Sequence, residues 1–168
     1  MRMPGLQHPD KLKKLDFKHP ATWIATWFGC GLMRPGPGTW GTLGALPFGV
    51  ALMLAGFPAL IAGIALLFPL GLWAAGKVGE MTQEEDSQMI VIDEAAGIWI
   101  ALLAATPDLF SIVFAFAAFR FFDILKPWPV NWLDRKPGGA VSVMLDDVMA
   151  GLYAALVMTG LRYAGIDF

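Results

Sequence analysis

The chain has 168 residues, of which 57% are hydrophobic and only 15% are charged, and its net charge is −2 at pH 7. Soluble domains are about 45–50% apolar and about 25% charged, so this composition favours a single membrane-embedded domain. The charge gives no indication of a nucleic-acid partner. The single cysteine, Cys30, excludes an internal disulfide and a multi-cysteine zinc site.

The first 20 residues are polar and basic, and they predict a cytoplasmic N-terminal arm ahead of a membrane domain at residues 21–168. They contain neither a long apolar run nor a small-residue cleavage pattern, so we expect no signal peptide. Trp23, Trp27 and Phe28 then form an aromatic cluster typical of a membrane interface. The Gly- and Pro-containing stretch at residues 36–41 is expected to interrupt any helix.

The apolar segments that follow predict an all-α, multi-pass membrane bundle with four or five spanning helices. At ~1.5 Å per residue, residues 43–75 are too long for one crossing of a ~30 Å hydrocarbon core. They predict a hairpin of two helices that turns at residues 56–58, with one long tilted helix and a re-entrant piece as the alternative. Polar segments separate the later helices, which are predicted at residues 95–105, 109–124 and about 147–164.

Lysine and arginine residues indicate the orientation of this bundle. With five helices and an inside N-terminus, only Arg162 among the twelve cations lies on the outer side. Loops that are rich in Lys and Arg remain in the cytoplasm. The sequence therefore predicts an inner-membrane protein whose polar loops face the cytoplasm.

Five carboxylates flank the apolar helices on that face. Asp93 and Glu94 precede the third helix, Asp123 ends the fourth, and Asp146 and Asp147 open the fifth. Carboxylates at a membrane are costly and are usually functional or paired. Five that converge could not all stay ionised without a cation. Oxygen-only ligands favour Mg²⁺, with Mn²⁺ as the alternative, over zinc.

Groups that can bind a phosphate are predicted at the same level. Arg120 offers a planar fork of donors and Lys126 a point charge. The backbone of Gly38 and Thr39, which opens toward a helix N-terminus, could donate amide hydrogens to a phosphate oxygen. Together with the carboxylates and a metal, these groups indicate metal-assisted phosphoryl transfer.

Plainer interpretations exist for each of these features. The acidic pair at residues 146–147 can be a helix N-terminal charge favoured by the macrodipole. Arg120 and Asp123, three residues apart on a helix, can form an ordinary surface ion pair. The acidic run at residues 84–86 is most simply a solvated loop.

Five segments of the chain resemble the phosphatidylglycerophosphatase A family: residues 25–29 (ATWFG), 37–42 (PGTWGT), 93–97 (DEAAG), 120–129 (RFFDILKPWP) and 146–151 (DDVMAG). The resemblance implies Mg²⁺-dependent dephosphorylation of phosphatidylglycerophosphate to phosphatidylglycerol at the inner membrane. The chain departs from the family at residues 34–36, where Arg-Pro-Gly replaces a more usual Pro-Lys-Ala-like triplet. Arg34 is therefore not assigned a phosphate role.

We predict a lipid phosphatase whose partners are this phospholipid and the bilayer. Glu94, Asp123 and Asp147 are the first choices for metal contact, with Asp93 and Asp146 as further catalytic carboxylates. The oligomeric state, and the choice between direct attack by water and an aspartyl-phosphate, are left open.

Two rival functions can be compared with this prediction. A phosphatidyltransferase would need an Asp-x2-Asp-Gly-x2-Ala-Arg run, which the sequence lacks. A small transporter or metal-ion channel would place ionisable residues near the bilayer midplane. Residues 43–75 and 148–161 contain none, which disfavours that function.

Overall fold

The structure, a computed structural model, describes residues 5–7, 9–84, 86–128 and 139–166. All regular elements in these ranges are helical, which confirms the all-α prediction. They are α1 (Pro9–Leu12), α2 (Pro20–Ala25), a 3-10 helix (Cys30–Leu32), α3 (Pro37–Ala55), α4 (Phe57–Thr82), α5 (Ile92–Leu102), α6 (Leu109–Leu125) and α7 (Gly139–Tyr163).

Three of the described helices, α3, α4 and α7, are long and apolar enough to cross a membrane, against the four or five predicted. The shortfall comes from the two helices between α4 and α7. At ~1.5 Å per residue, the 17 residues of α6 extend about 25 Å and the 11 of α5 about 16 Å. Both are shorter than the ~30 Å hydrocarbon core.

The predicted hairpin is formed by α3 and α4, which meet at Gly56. This residue has φ of 116°, a conformation that glycine adopts without steric cost, and Pro58 follows in the first turn of α4. Helix α4 continues to Thr82, past residue 75, where the predicted apolar hairpin ends, and into the polar segment that follows. Hydropathy indicates which residues favour lipid, not which residues are helical. A helix can therefore continue after its apolar stretch has ended.

Helix boundaries near the acidic and glycine-rich motifs differ from those predicted. Helix α7 begins at Gly139 rather than near residue 147, so Asp146 and Asp147 lie about two turns inside it. Since the macrodipole acts within the first turn, the helix-end interpretation of this pair does not apply. Of residues 36–41, only Gly36 lies outside a helix. The predicted interruption of the helix is therefore wrong for the rest of the stretch, because α3 begins at Pro37.

Helix α5 occupies the centre of the bundle. It packs against α3, α4, α6 and α7, and every one of its residues except Glu94 is buried. Because so short a helix contributes little stability by itself, its position is set by packing against its four neighbours. The acidic pair at its N-terminus is held in place by the same packing.

Helices α5 and α7 cross with their backbones in contact. A Cβ atom added at Gly151 would overlap the carbonyl oxygen of Gly97, and one added at Gly97 would lie 2.7 Å from the carbonyl oxygen of Asp147. Only small residues allow helices to approach this closely. The crossing therefore places Asp147 directly beside the first turns of α5.

Substitution of Gly151 by Ala is expected to destabilise the protein by about 1–3 kcal/mol, because the new methyl group meets backbone that cannot rotate away. Thermal unfolding in detergent would measure the effect. Gly160→Ala is the matched control on the same helix, since a Cβ at Gly160 has no atom within 4 Å. Equal melting temperatures for the two variants would contradict this account of the crossing.

The described part of the predicted N-terminal arm contacts the membrane domain. Lys14 Nζ donates to the carbonyl oxygen of Thr82 at 3.0 Å, and Lys11 Nζ donates to Glu84 Oε2 at 3.1 Å. The hydrogen bond from Lys11 lowers the pKa of Glu84. These contacts fix the end of α4 and the start of the loop that leads into α5.

Candidate active site

A cavity of about 440 Å³ lies where the first turn of α3, the first turn of α5, the end of α6 and the third turn of α7 meet. All five predicted carboxylates, both predicted cations and Gly38 line it. Residues from four separate parts of the sequence thus converge as predicted. Thr39 is not among the described residues that line the cavity.

Three of the carboxylates that the structure describes form a close group. Oxygen atoms of Asp93, Glu94 and Asp147 all lie within 4.8 Å of one another. Asp93 and Asp147 are buried, and Oε2 of Glu94 has no hydrogen-bond partner among the described residues. Carboxylates this close repel one another, and a buried oxygen without a partner is costly. This donor set fits a divalent cation, and it contains Asp93 where the sequence-based metal set has Asp123.

The other two carboxylates each have a cationic partner. Asp123 forms an ion pair with Arg120, and their side chains are only 13% and 14% exposed. Asp146 Oδ2 accepts a hydrogen bond from Lys126 Nζ at 2.8 Å. The pair on α6 is thus not the surface ion pair of the plainer interpretation, and Lys126 contacts a carboxylate in addition to lining the cavity.

The two adjacent acidic pairs have the same local geometry. The backbone N–H of Glu94 donates to Asp93 Oδ1 at 3.0 Å, and the backbone N–H of Asp147 donates to Asp146 Oδ1 at 3.0 Å. Each pair therefore has one carboxylate oriented by the helix backbone. In both pairs the second carboxylate belongs to the three-carboxylate group.

The first turn of α3 lies directly against Glu94 and Arg120. A Cβ atom at Gly38 would overlap Glu94 Oε1 and would lie 3.2 Å from Arg120 Nη1. Thr42, one turn later and fully buried, donates from Oγ1 to the carbonyl oxygen of Gly38 at 2.9 Å and accepts from Arg120 Nη1 at 3.5 Å. Glycine at position 38 is what allows this approach.

Comparison with known proteins identifies the family. The sequence model described as phosphatidylglycerophosphatase A matches residues 23–162. The chain belongs to the phosphatidylglycerophosphatase A family. The resemblance found in its motifs is thereby confirmed. No solved structure matches the chain.

Three relatives of this family member carry two different activity names. Phosphatidylglycerophosphatase A of Haemophilus influenzae is 41% identical over 155 residues, covering 90% of this chain and 94% of that protein. The Escherichia coli K12 protein of the same name is 32% identical over 154 residues, 90% of each chain. A putative phosphatidylinositol-3-phosphatase of Bacteroides thetaiotaomicron is 42% identical over 149 residues, covering 83% of this chain and 92% of that protein.

Some cavity residues of this phosphatidylglycerophosphatase A family member were not predicted. Arg34 was left without a role, and Asp86 was assigned to a solvated loop. Thr42, which contacts Arg120 but is not among the described residues that line the cavity, was named only as part of the 37–42 motif. The available signals were positional: Arg34 precedes the 37–42 motif, and Thr42 follows Gly38 by one helical turn. For Asp86 no sequence signal separates a cavity residue from a solvated one.

Proposed function

We propose that the protein is a phosphoric monoester hydrolase that converts phosphatidylglycerophosphate to phosphatidylglycerol and phosphate. The observation that carries the proposal is the convergence, in one cavity, of three close carboxylates with Arg120 and the first turn of α3. Family membership supports the same reaction. It also weakens the rival interpretation as a transporter or metal-ion channel.

We infer that a divalent cation, Mg²⁺ or alternatively Mn²⁺, is held by Asp93, Glu94 and Asp147, with Asp123 beside them. The oxygen-only donor set and the buried, unpartnered Oε2 of Glu94 support a hard ion. When bound, such an ion neutralises charge on a phosphate and lowers the pKa of a coordinated water.

The chain's own residues would hold the phosphate. The amide groups of Gly38 and Thr39 lie in the first turn of a 19-residue helix, where backbone N–H groups have no intrahelical acceptor, and the N-cap Gly36 provides no side-chain hydrogen bond. Such a turn binds phosphate oxygens. The guanidinium of Arg120 lies next to Gly38, and the ion pair between Arg120 and Asp123 fixes its orientation.

In the proposed reaction a water oxygen attacks phosphorus, and the bond from phosphorus to the glycerol oxygen breaks. A carboxylate of the cavity accepts the proton of the attacking water, and a carboxyl group of the cavity then gives a proton to the departing glycerol oxygen. Asp123 and Asp146 are the candidates for this proton transfer because both line the cavity and each is held in position by a cationic partner.

The site is proposed to face the cytoplasm at the inner membrane. Arg34, Lys11 and Lys14 lie near the end of the bundle that carries the cavity, whereas Arg162 lies at the other end and donates to Ser111. Cations concentrate on the cytoplasmic side of membrane proteins.

The test is phosphate release by the purified protein in detergent micelles that contain phosphatidylglycerophosphate. Excess chelator should abolish release, and Mg²⁺ added beyond the chelator should restore it, because the carboxylate group needs a cation to act on a dianionic phosphate. Chelator that has been saturated with Mg²⁺ beforehand is the control. Full turnover in excess chelator would contradict the metal requirement.

A second head group is worth testing because the Bacteroides thetaiotaomicron relative is as similar to this chain as the Haemophilus influenzae protein. Phosphatidylinositol 3-phosphate also presents a phosphomonoester on a polyol. We expect phosphatidylglycerophosphate to be the better substrate in the same micelles. Faster phosphate release from phosphatidylinositol 3-phosphate would contradict this expectation and would make the inositol lipid the proposed substrate.

A further inference from the structure

Among the residues that the structure describes, three cationic side chains line the cavity, and they differ in their partners. Arg120 is paired with Asp123 and Lys126 with Asp146. Arg34 forms neither an ion pair nor a side-chain hydrogen bond with any residue that the structure describes, and it is exposed. Its backbone is nevertheless fixed, since its N–H donates to the carbonyl oxygen of Gly5 at 2.8 Å. The cavity rim thus carries a guanidinium that is available to an anion.

Arg34 and Arg120 lie at different depths in the cavity. Arg120 is largely buried beside Glu94 and the first turn of α3, so a phosphomonoester bound there lies at the inner end of the cavity. Arg34 lies on the loop that precedes α3 and lines the same cavity from its exposed side. A ligand with two anionic groups can contact both arginines at once.

The lipid of the proposed function has this chemistry. It carries a terminal phosphomonoester, which is hydrolysed, and a phosphodiester, which links the glycerol to diacylglycerol and remains in the product. One three-carbon glycerol unit separates them. A guanidinium presents two parallel N–H donors that match the two unesterified oxygens of a phosphodiester.

We propose that Arg34 is a specificity-determining residue that binds the phosphodiester of the lipid substrate, an inference that rests on the proposed function. Arg34 then selects lipids with a second phosphate between the reacting group and the acyl chains. Phosphatidic acid, whose phosphomonoester is attached directly to diacylglycerol, makes no contact with it.

The experiment compares kcat/KM for phosphatidylglycerophosphate and phosphatidic acid with identical acyl chains in mixed micelles. Arg34→Gln should lower the value for phosphatidylglycerophosphate by about tenfold, the loss expected for one charge-assisted hydrogen-bonding contact. The value for phosphatidic acid should stay unchanged. Lys18→Gln is the control, since Lys18 is an exposed cation that does not line the cavity, and it should alter neither value.

A second measurement does not depend on the turnover of phosphatidic acid. Phosphatidylglycerol, the product, keeps the phosphodiester, whereas inorganic phosphate resembles the monoester. In Arg34→Gln the inhibition constant of phosphatidylglycerol should rise about tenfold while that of inorganic phosphate is unchanged. A structural defect would shift both constants together.

Each outcome has a distinct meaning. An equal loss on both substrates, or equal shifts of both inhibition constants, would overturn the inference, because Arg34 would then bind the monoester or support the fold. Unchanged kinetics would overturn it as well, since Arg34 would then be a solvated cation. Failure of the parent protein to release phosphate from any phospholipid would contradict the proposed function itself, and the inference with it.

Discussion

Glu94→Gln and Asp147→Asn are each expected to lower phosphate release by at least about a hundredfold, which corresponds to about 2.7 kcal/mol of transition-state stabilisation. Each change keeps the shape of the side chain and removes one negative charge from a group whose oxygens lie within 4.8 Å of one another. A weaker donor set holds a cation less well, and the reaction loses the charge stabilisation that the cation provides.

The same variants make a prediction that does not involve turnover. Without a divalent cation they should melt at or above the temperature of the parent, because neutralising one carboxylate relieves repulsion within the group. Added Mg²⁺ should stabilise the parent by mass action more than it stabilises the variants. Glu80→Gln, at an exposed site on α4, is the control for both measurements. Parent-like activity in Glu94→Gln and Asp147→Asn at matched expression would mean that these carboxylates are structural.

Gly38→Ala is expected to cost about a hundredfold in activity although it adds only one methyl group. That methyl group would overlap Glu94 Oε1 and would crowd Arg120 Nη1 at 3.2 Å. Either the Glu94 carboxylate or the Arg120 guanidinium must move, and a displacement of about 1 Å at a reacting centre can cost two orders of magnitude.

Gly76→Ala on α4 is the matched control, since its added methyl group would meet only the Cβ of Ala140 at an ordinary 3.8 Å. Phosphate release and melting temperature would be measured for both variants. Gly38→Ala should lose activity while keeping most of its stability. If Gly38→Ala turns over at the parent rate, the close contact between α3 and the carboxylates has no functional role.

Hydropathy predicted the membrane hairpin well because its turn has a local chemical signature. Gly56 and Pro58 stand close together near the middle of the apolar block, and the structure turns there, whereas the isolated Pro47 and Pro69 lie inside α3 and α4. The start of α7 was missed because Asp146 and Asp147 interrupt the apolar pattern, although residues 140–145 ahead of them contain only one polar side chain, that of Ser142. Hydropathy does not report tertiary packing, which keeps this acidic pair inside the helix. The segment predicted at residues 95–105 is as short as α5 itself, but it was counted as a possible span because hydropathy does not distinguish an apolar helix in lipid from one buried in protein.

The sequence motifs predicted many of the residues that line the cavity, but not which of these residues contact one another. Sequence placed five carboxylates on one face because each of them flanks an apolar helix. Which three come closest depends on helix rotation and side-chain direction, and therefore Asp93 rather than Asp123 joins Glu94 and Asp147. The contact of Thr42 with Arg120 joins residues that are 78 positions apart, and no local pattern encodes such a contact.

The central position of α5 has a consequence for how the protein is made. A helix of 11 residues that begins with two carboxylates is too short and too polar at one end to partition into lipid unaided. Its entry into the bilayer must therefore be coupled to the assembly of α3, α4, α6 and α7 around it. Until α7 packs against α5, Asp93 and Glu94 cannot lie beside Asp147, so the carboxylate group should form only when assembly of the bundle is complete.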